Sequence, residues 1–221
     1  DMKKKLISLL LCAAMVSAML AGCGSAAETG SAGTADEAAS DKSVAEAGAQ
    51  KLDISVCAGS EDSMVVNTGT VGTLEGLSAC RHLYEGLYKI DATGKPVLGQ
   101  AKDVKVSEDG LTYTFHLRKD VKWTDSQGRE VDTVKADDFV AGMQHMCDAQ
   151  GGLEYLVQGV IKNVSQYISG EVTDFDEVGV KAVDDYTVEY TLEEPCSYFM
   201  TMLGYTIFMP MSRSYYQSQG G

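Results

Sequence analysis

Basic side chains are scarce in this sequence. The 221 residues contain 18 Lys and Arg against 32 Asp and Glu, which gives a formal net charge of −14 at pH 7. Binding to nucleic acid requires a positively charged surface for the phosphates, so the composition argues against a nucleic acid partner. Catalytic motifs are missing as well, because the chain has no G-x-S-x-G, no S-x-x-K and no phosphate-binding loop. We therefore expect a protein that is not an enzyme.

Metal-binding patterns are also absent from the sequence. There is no C-x-x-C pair, and no Cys and His residues have the spacing of a zinc site. His82 and His145 lie on separate predicted helices, and His116 lies on the polar face of a predicted strand. We expect no metal site and no cofactor.

Long apolar runs are limited to one, at residues 6–20. It is shorter than the roughly 20 residues that span a bilayer, and three lysines precede it, as in a secretory signal peptide. Leu20, Ala21, Gly22 and Cys23 then resemble the lipobox of bacterial lipoproteins, in which the cysteine receives a diacylglycerol. We therefore expect a signal peptide at 1–22 and a protein anchored by lipid to the extracytoplasmic face of the cell membrane.

The predicted signal peptide and lipid anchor account for two of the six cysteines. Cys12 is removed with the signal peptide and Cys23 carries the lipid, so that four of the six remain in the mature chain. Four cysteines allow three disulfide pairings, which the sequence cannot rank, and buried free thiols are an equal alternative. The four are Cys57, Cys80, Cys147 and Cys196.

Residues 24–50 are almost entirely small or polar, and Val44 is their only branched aliphatic residue. Such a segment cannot bury enough apolar surface to offset the entropy of ordering it. We expect 23–50 to be the lipidated cysteine and a disordered linker, and we expect 51–221 to fold.

Hydrophobic periodicity predicts strands and helices in the folded part. Alternation predicts a strand at 51–58, and helical spacing predicts a helix at 73–85 followed by a strand at 87–90. Two hairpins are predicted, the first within 104–117 and the second within 178–192, turning at acidic residues.

Two further apolar stripes have helical spacing. One follows Asp137 and Asp138, whose charges favour a helix N-terminus, and the other, the most regular in the chain, extends over 153–168. Trp123 is expected to cover the core from the end of the first hairpin. The fold class is therefore α/β in the mixed α+β sense, with antiparallel hairpins and packed helices.

Several of these segments, taken together, resemble one family. They are LYEGL at 83–87, VSEDGLTYTFHLRKDVKWTD at 106–125, ADDFV at 136–140, VGVKAVDDYTVEYTL at 178–192 and EPCSYF at 194–199. In this order they resemble the extracellular solute-binding proteins of peptide and nickel ABC transporters, the oligopeptide- and dipeptide-binding family 5. The resemblance covers about residues 51–215.

The resemblance implies a two-lobed periplasmic-binding-protein fold of type II. Members of the family are much longer, and their ligand lies between two lobes. By this resemblance 51–221 supplies the first strand of the larger lobe and the small accessory domain, with the C-terminal lobe absent. Residues 207–211 resemble the strand that leads back into the larger lobe.

The resemblance also implies ligand-binding residues. In the family an extended peptide pairs with the loop after the first strand, which here is Gly59, Ser60 and Glu61. An ordinary strand-to-helix turn is the alternative for this loop. Tyr155 matches a region that reaches toward ligand in some members, and a partly buried surface tyrosine is its alternative. Residues 62–66 read DSMVV where Asp-Pro is usual, which leaves the ligand class open.

The function implied is that of a substrate-binding lipoprotein of an ABC importer. It would capture peptides or similar small solutes outside the membrane and deliver them to the permease and its ATPase. Two alternatives stay open: a surface lipoprotein that acts as an interaction or sensing module, and a receptor for nickel or haem on the same scaffold.

Overall fold

The computed structural model describes residues 66–218. The predicted signal peptide at 1–22, the linker at 23–50 and the strand at 51–58 lie outside this part of the chain. Within it, helix α1 comprises Leu74–Leu83, as the spacing predicted. It begins where the Thr73 hydroxyl accepts a hydrogen bond from the Gly76 amide at 3.2 Å.

A short hairpin follows α1. Strand β1, Tyr88–Ile90, pairs antiparallel with β2, Pro96–Leu98. The turn between them is closed by Asp91, whose side chain accepts hydrogen bonds from the amides of Thr93 at 2.8 Å and Lys95 at 2.9 Å. The predicted strand at 87–90 is thereby confirmed.

The main sheet is antiparallel and has four strands in the order β3-β4-β8-β7. They are β3, Ala101–Val106, β4, Thr112–Leu117, β7, Val180–Asp184, and β8, Thr187–Thr191. Both predicted hairpins, β3–β4 and β7–β8, are confirmed. The contact between the hairpins is the pairing of β4 with β8, which the local pattern could not predict.

Strand β4 directs its two faces to different surroundings. Tyr113, Phe115 and Leu117 are buried, while His116 faces the other side of the sheet. There the His116 Nδ1 lies 2.5 Å from an Asp103 carboxylate oxygen on β3. The expected polar position of His116 is confirmed, because alternation puts it opposite the buried residues.

A second small hairpin and the longest described helix follow the first half of the sheet. Strand β5, Lys122–Thr124, pairs with β6, Glu130–Thr133, and α2 comprises Ala136–Ala149. Trp123 on β5 packs against the core, as expected, and its indole N–H donates to the Asp138 carboxylate at 2.9 Å. No helix within 66–218 is long and apolar enough to cross a membrane.

The predicted continuous helix at 153–168 is wrong. The structure has a single 3₁₀ turn, Glu154–Leu156, and a short helix α3, Val164–Ser169, with turns between them. Gly159 and Asn163 have φ values of 69° and 60°, in the left-handed region, which interrupts a right-handed helix.

Sheet pairing explains why this segment leaves the helical path. Ile161 forms an isolated antiparallel bridge with Leu192, directly after β8. The Lys162 amide donates to the Thr191 carbonyl at 3.0 Å. These bonds to β8 replace helical hydrogen bonds, while the apolar side chains at helical spacing still enter the core from successive turns.

The last described elements are helical. Helix α4, Phe199–Met202, is followed by a 3₁₀ turn, Thr206–Phe208, and by α5, Arg213–Ser218. The strand expected at 207–211 is therefore wrong. Within the described residues this segment lies on α2, where the Met211 amide donates to the Asp138 carbonyl at 2.9 Å, so it has no pairing partner in a sheet.

The core lies between the buried face of the main sheet and the helices. Its largest side chains are aromatic, and most of them pack edge-on or tilted, while Tyr113 and Phe115 are stacked. The ring centroids of Tyr113 and Phe199 are 4.8 Å apart, and those of Phe199 and Phe208 are 6.1 Å apart. The aromatic cluster thus joins β4 to the C-terminal segment.

The described cysteines are free thiols. Cys80 and Cys147 are buried and Cys196 is half-buried, so none of the pairings among these three is formed; Cys57 lies outside the described residues. Burial, with smaller contributions from the negative charges of Asp148 and Glu154, raises the pKa of Cys147 to about 12. Burial also raises the pKa of Cys80.

These environments predict unequal reactivity toward a thiol reagent. At about pH 8 iodoacetamide should modify Cys196 in the folded protein, and Cys80 and Cys147 at least about 100-fold more slowly, because the thiolate is the reactive form. Peptide mapping by mass spectrometry after timed exposure measures this directly. In concentrated guanidinium chloride the three rates should converge. Equal rates for Cys147 and Cys196 in the folded protein would contradict the buried position of Cys147.

Candidate functional site

Tyr155 lies at the surface with 66% of its area exposed. It is therefore more exposed than the partly buried surface tyrosine that was its alternative in the sequence analysis. It borders a groove of about 450 Å³. We name this site the tyrosine groove, and its lining residues are Tyr155, Leu156, Gln158, Val160, Tyr198, Thr201, Met202, Tyr205 and Phe208.

One wall of the tyrosine groove is the segment 155–160. The side chain of Val157, which is fully buried, anchors this segment in the core. The end of the segment is held by a hydrogen bond from the Glu193 amide to the Val160 carbonyl at 2.9 Å. The segment is thus attached to the chain that leaves β8, and this attachment positions the backbone that carries Tyr155 at the rim.

The opposite wall comes from α4 and the turn after it. Met202 and Phe208 are 8% and 2% exposed and form an apolar floor. Tyr198 and Tyr205, at the two ends of α4, are 60% and 45% exposed and form the rim. The Tyr205 amide donates to the Met202 carbonyl at 2.8 Å, which holds the rim against the floor.

The lining of the tyrosine groove contains no charged side chain. It offers three aromatic rings with hydroxyl groups, the Gln158 amide and the Thr201 hydroxyl. A hydrogen bond with Cys196 is the main reason that the pKa of Tyr198 is raised. Apolar surface with a few polar groups at its edge is suited to binding a ligand, and provides no nucleophile paired with a base.

A second groove, of about 590 Å³, lies beside α2. Its one basic side chain, Arg213, and the Tyr167 hydroxyl already have partners within the protein. The Arg213 guanidinium lies 2.6 Å from an Asp137 carboxylate oxygen, and the Tyr167 hydroxyl donates to Asp148 at 2.8 Å. We therefore take the tyrosine groove as the candidate site.

The other residues predicted from the sequence lie outside the described part of the chain. They are the proposed peptide-pairing residues Gly59, Ser60 and Glu61, and the lipobox residues Leu20, Ala21, Gly22 and Cys23. Tyr198 and Tyr205 are groove residues that the sequence reasoning missed. Tyr198 lies in the segment 194–199, which contributed to the family resemblance but was assigned no contact with ligand.

The described part of the chain is a mixed α/β domain with an antiparallel sheet and an open groove of uncharged lining, an arrangement suited to binding a ligand. The chain belongs to the bacterial extracellular solute-binding proteins, family 5, whose middle region matches residues 95–220. This confirms the resemblance noted in the sequence, and the family consists of binding proteins, not enzymes.

Curated relatives match the same part of the chain. The oligopeptide-binding protein SarA of Streptococcus gordonii is 46% identical over 139 residues, which are 63% of this chain and 21% of SarA. The oligopeptide-binding protein AmiA of Streptococcus pneumoniae is 42% identical over 154 residues, 70% of this chain and 22% of AmiA. The chain therefore spans about a fifth of the length of these relatives.

Solved structures confirm the fold class. The structure of Listeria monocytogenes OppA bound to peptide superposes with a TM-score of 0.64 at 31% sequence identity. The match covers 70% of this chain and 30% of that protein. The mixed α/β architecture described above is thus part of a binding-protein fold of the OppA type.

Proposed function

We propose that this chain is part of the substrate-binding lipoprotein of an ABC importer, which captures peptides or similar small solutes outside the membrane. The observation that carries the proposal is the match, in sequence and in fold, to a protein whose structure holds a peptide. The oligopeptide-binding relatives support the same ligand class.

The proposed location follows from the N-terminal sequence. Residues 1–22 act as the signal peptide, Cys23 carries the lipid, and 24–50 form the tether. A flexible coil of this length reaches roughly 30 Å, which lets the folded part move above a membrane-embedded partner. The tether also keeps the local concentration of the receptor near the permease high.

The proposed ligand contacts come from two places. Gly59, Ser60 and Glu61 pair with the backbone of an extended peptide, and Tyr155 adds a ring face and a hydroxyl. The exposure of Tyr155 at the rim of a groove supports its part in this proposal.

The proposed mechanism involves capture and transfer without chemistry. Ligand binding shifts the population toward a closed arrangement of two lobes, and the permease with its ATPase recognises this arrangement. The domain described here contributes one part of the cleft.

A second candidate is an interaction or sensing module. The observation that favours it is that all the lining residues of the tyrosine groove lie within 155–208, a single segment of the described chain. Residues 66–218 contain no group of three or more His, Cys, Asp or Glu that could hold a metal ion, and they offer no support for the nickel alternative.

Isothermal titration of the complete protein that contains this chain, with peptides of graded length, tests the proposed function. We expect binding to the native chain, and about tenfold weaker binding to Tyr155→Ala, since aromatic anchors dominate such contacts. Tyr215→Ala is the matched control, because this tyrosine is equally exposed but lies on α5, outside the groove. Silence with peptides of every length would reject the peptide ligand, and binding of nickel or haem alone would favour that alternative.

A further inference from the structure

We propose that the tyrosine groove holds an aromatic or large aliphatic side chain of a peptide, and that it favours a positive charge on the neighbouring residue. This inference rests on the proposed function, because it states which part of a peptide the groove selects.

The preference for an aromatic or large aliphatic side chain follows from the shape and lining of the groove. Met202 and Phe208, 8% and 2% exposed, form the apolar base of the groove, and most of the apolar surface that a ligand can contact belongs to the rings of the rim tyrosines. The volume of about 450 Å³ is within the usual range of small-molecule pockets and accommodates a side chain of the size of Phe or Leu with part of its backbone. Burial of such a side chain removes apolar surface of both partners from water.

The exposed tyrosines explain why this surface is a candidate for binding. Tyr155, Tyr198 and Tyr205 are 66%, 60% and 45% exposed and surround one apolar floor. Scattered exposed aromatic residues are ordinary, but three around one concave site are typical of recognition surfaces. Their hydroxyl groups can bond to a peptide backbone while the rings contact its side chain.

The charge preference comes from three acidic residues that adjoin the groove walls in sequence or through a backbone hydrogen bond, against one basic residue, the exposed Lys162, two positions after Val160. Its lining is uncharged, but Glu154 precedes Tyr155, and Glu193 is attached to the groove wall through its amide bond to the Val160 carbonyl. Glu194 follows, and both Glu193 and Glu194 are exposed. These carboxylates repel an acidic ligand residue and attract a basic one. The negative faces of the tyrosine rings act in the same direction.

Four five-residue peptides test separately the preference for an apolar side chain and the preference for a neighbouring positive charge. The reference peptide has the sequence Ala-Lys-Phe-Ala-Ala, and single changes give Ala-Lys-Ala-Ala-Ala, Ala-Lys-Asp-Ala-Ala and Ala-Glu-Phe-Ala-Ala. Titration calorimetry with the full chain should show the reference peptide binding at least about tenfold more tightly than each of the others. Raising the salt concentration should reduce the preference for Lys over Glu and leave the preference for Phe over Ala.

Variants of one rim residue connect the preference to the groove. Tyr198→Ala should weaken binding of the reference peptide about tenfold and leave the Ala-Lys-Ala-Ala-Ala peptide unchanged, while Tyr198→Phe should retain most of the affinity. Tyr215→Ala, on α5, should bind like the native chain. Because Tyr198 is mostly exposed, these variants should fold, and circular dichroism checks this.

The failures of the two proposals are distinguishable. If all four peptides bind equally well and Tyr198→Ala changes nothing, the assignment of the groove is wrong and the peptide-binding function stands. If no peptide binds, both are wrong.

Discussion

Replacing Asp138 with alanine is expected to lower the free energy of unfolding by about 3 kcal/mol. This carboxylate is only 7% exposed and accepts three hydrogen bonds. The donors are the Trp123 indole at 2.9 Å, the Lys135 amide at 3.0 Å and the Arg213 amide at 3.0 Å. Its removal leaves these donors without their partner, and each unsatisfied buried group costs about 1–3 kcal/mol.

The three donors belong to three different parts of the fold, so Asp138 joins β5, the start of α2 and the start of α5. Urea unfolding followed by circular dichroism measures the effect. Asp137→Ala is the matched control, because its side chain is 51% exposed and forms only a surface ion pair with Arg213. That variant should lose less than about 1 kcal/mol. Equal losses in the two variants would show that the buried hydrogen bonds of Asp138 contribute little.

Gly179→Ala is expected to lower the free energy of unfolding by about 2–3 kcal/mol, because the added methyl group has no space. An ideal Cβ at this position collides with the Thr191 carbonyl oxygen and approaches the Lys162 Cβ to 2.9 Å. Gly179 also donates its amide to the Lys162 carbonyl at 2.8 Å. The backbone there cannot move without breaking the attachment of 160–162 to β8.

This variant should affect the tyrosine groove as well as stability, since Val160 on the displaced segment forms part of its wall. We expect weaker peptide binding even where the variant remains folded. Gly72→Ala is the matched control, because the nearest atom to its Cβ is the Gly151 carbonyl oxygen at 3.9 Å. It should change the unfolding free energy by less than about 0.5 kcal/mol. Similar losses at Gly72 and Gly179 would mean that the collision with Thr191 is relieved elsewhere.

Local patterns predicted the local parts of the fold. The alternation within 104–117 and 178–192 predicted both hairpins, and the spacing after Asp137 predicted α2. The pairing of β4 with β8 could not be predicted, because the two strands are distant in sequence and the local pattern of a strand does not specify which other strand it pairs with. The prediction of a continuous helix at 153–168 was wrong because apolar residues at helical spacing also occur where successive turns each direct a side chain into the core.

The candidate site was predicted in part. Tyr155 was predicted from the family resemblance, and the structure places it at the rim of the tyrosine groove. Tyr198 and Tyr205 were not predicted, since their proximity to Tyr155 depends on the bridge between Ile161 and Leu192 and on the path of α4. An exposed aromatic residue and a buried one look the same in a sequence.

The strand order of the main sheet also determines when this domain can fold. Thr114 on β4 and its cross-strand neighbour Glu189 on β8 are separated by 75 residues. During synthesis the central strand pair cannot form until β8 has left the ribosome, and pairing over such a separation is slow because a long loop must close first. The order β3-β4-β8-β7 thus makes completion of this sheet depend on the hairpin that is synthesised last.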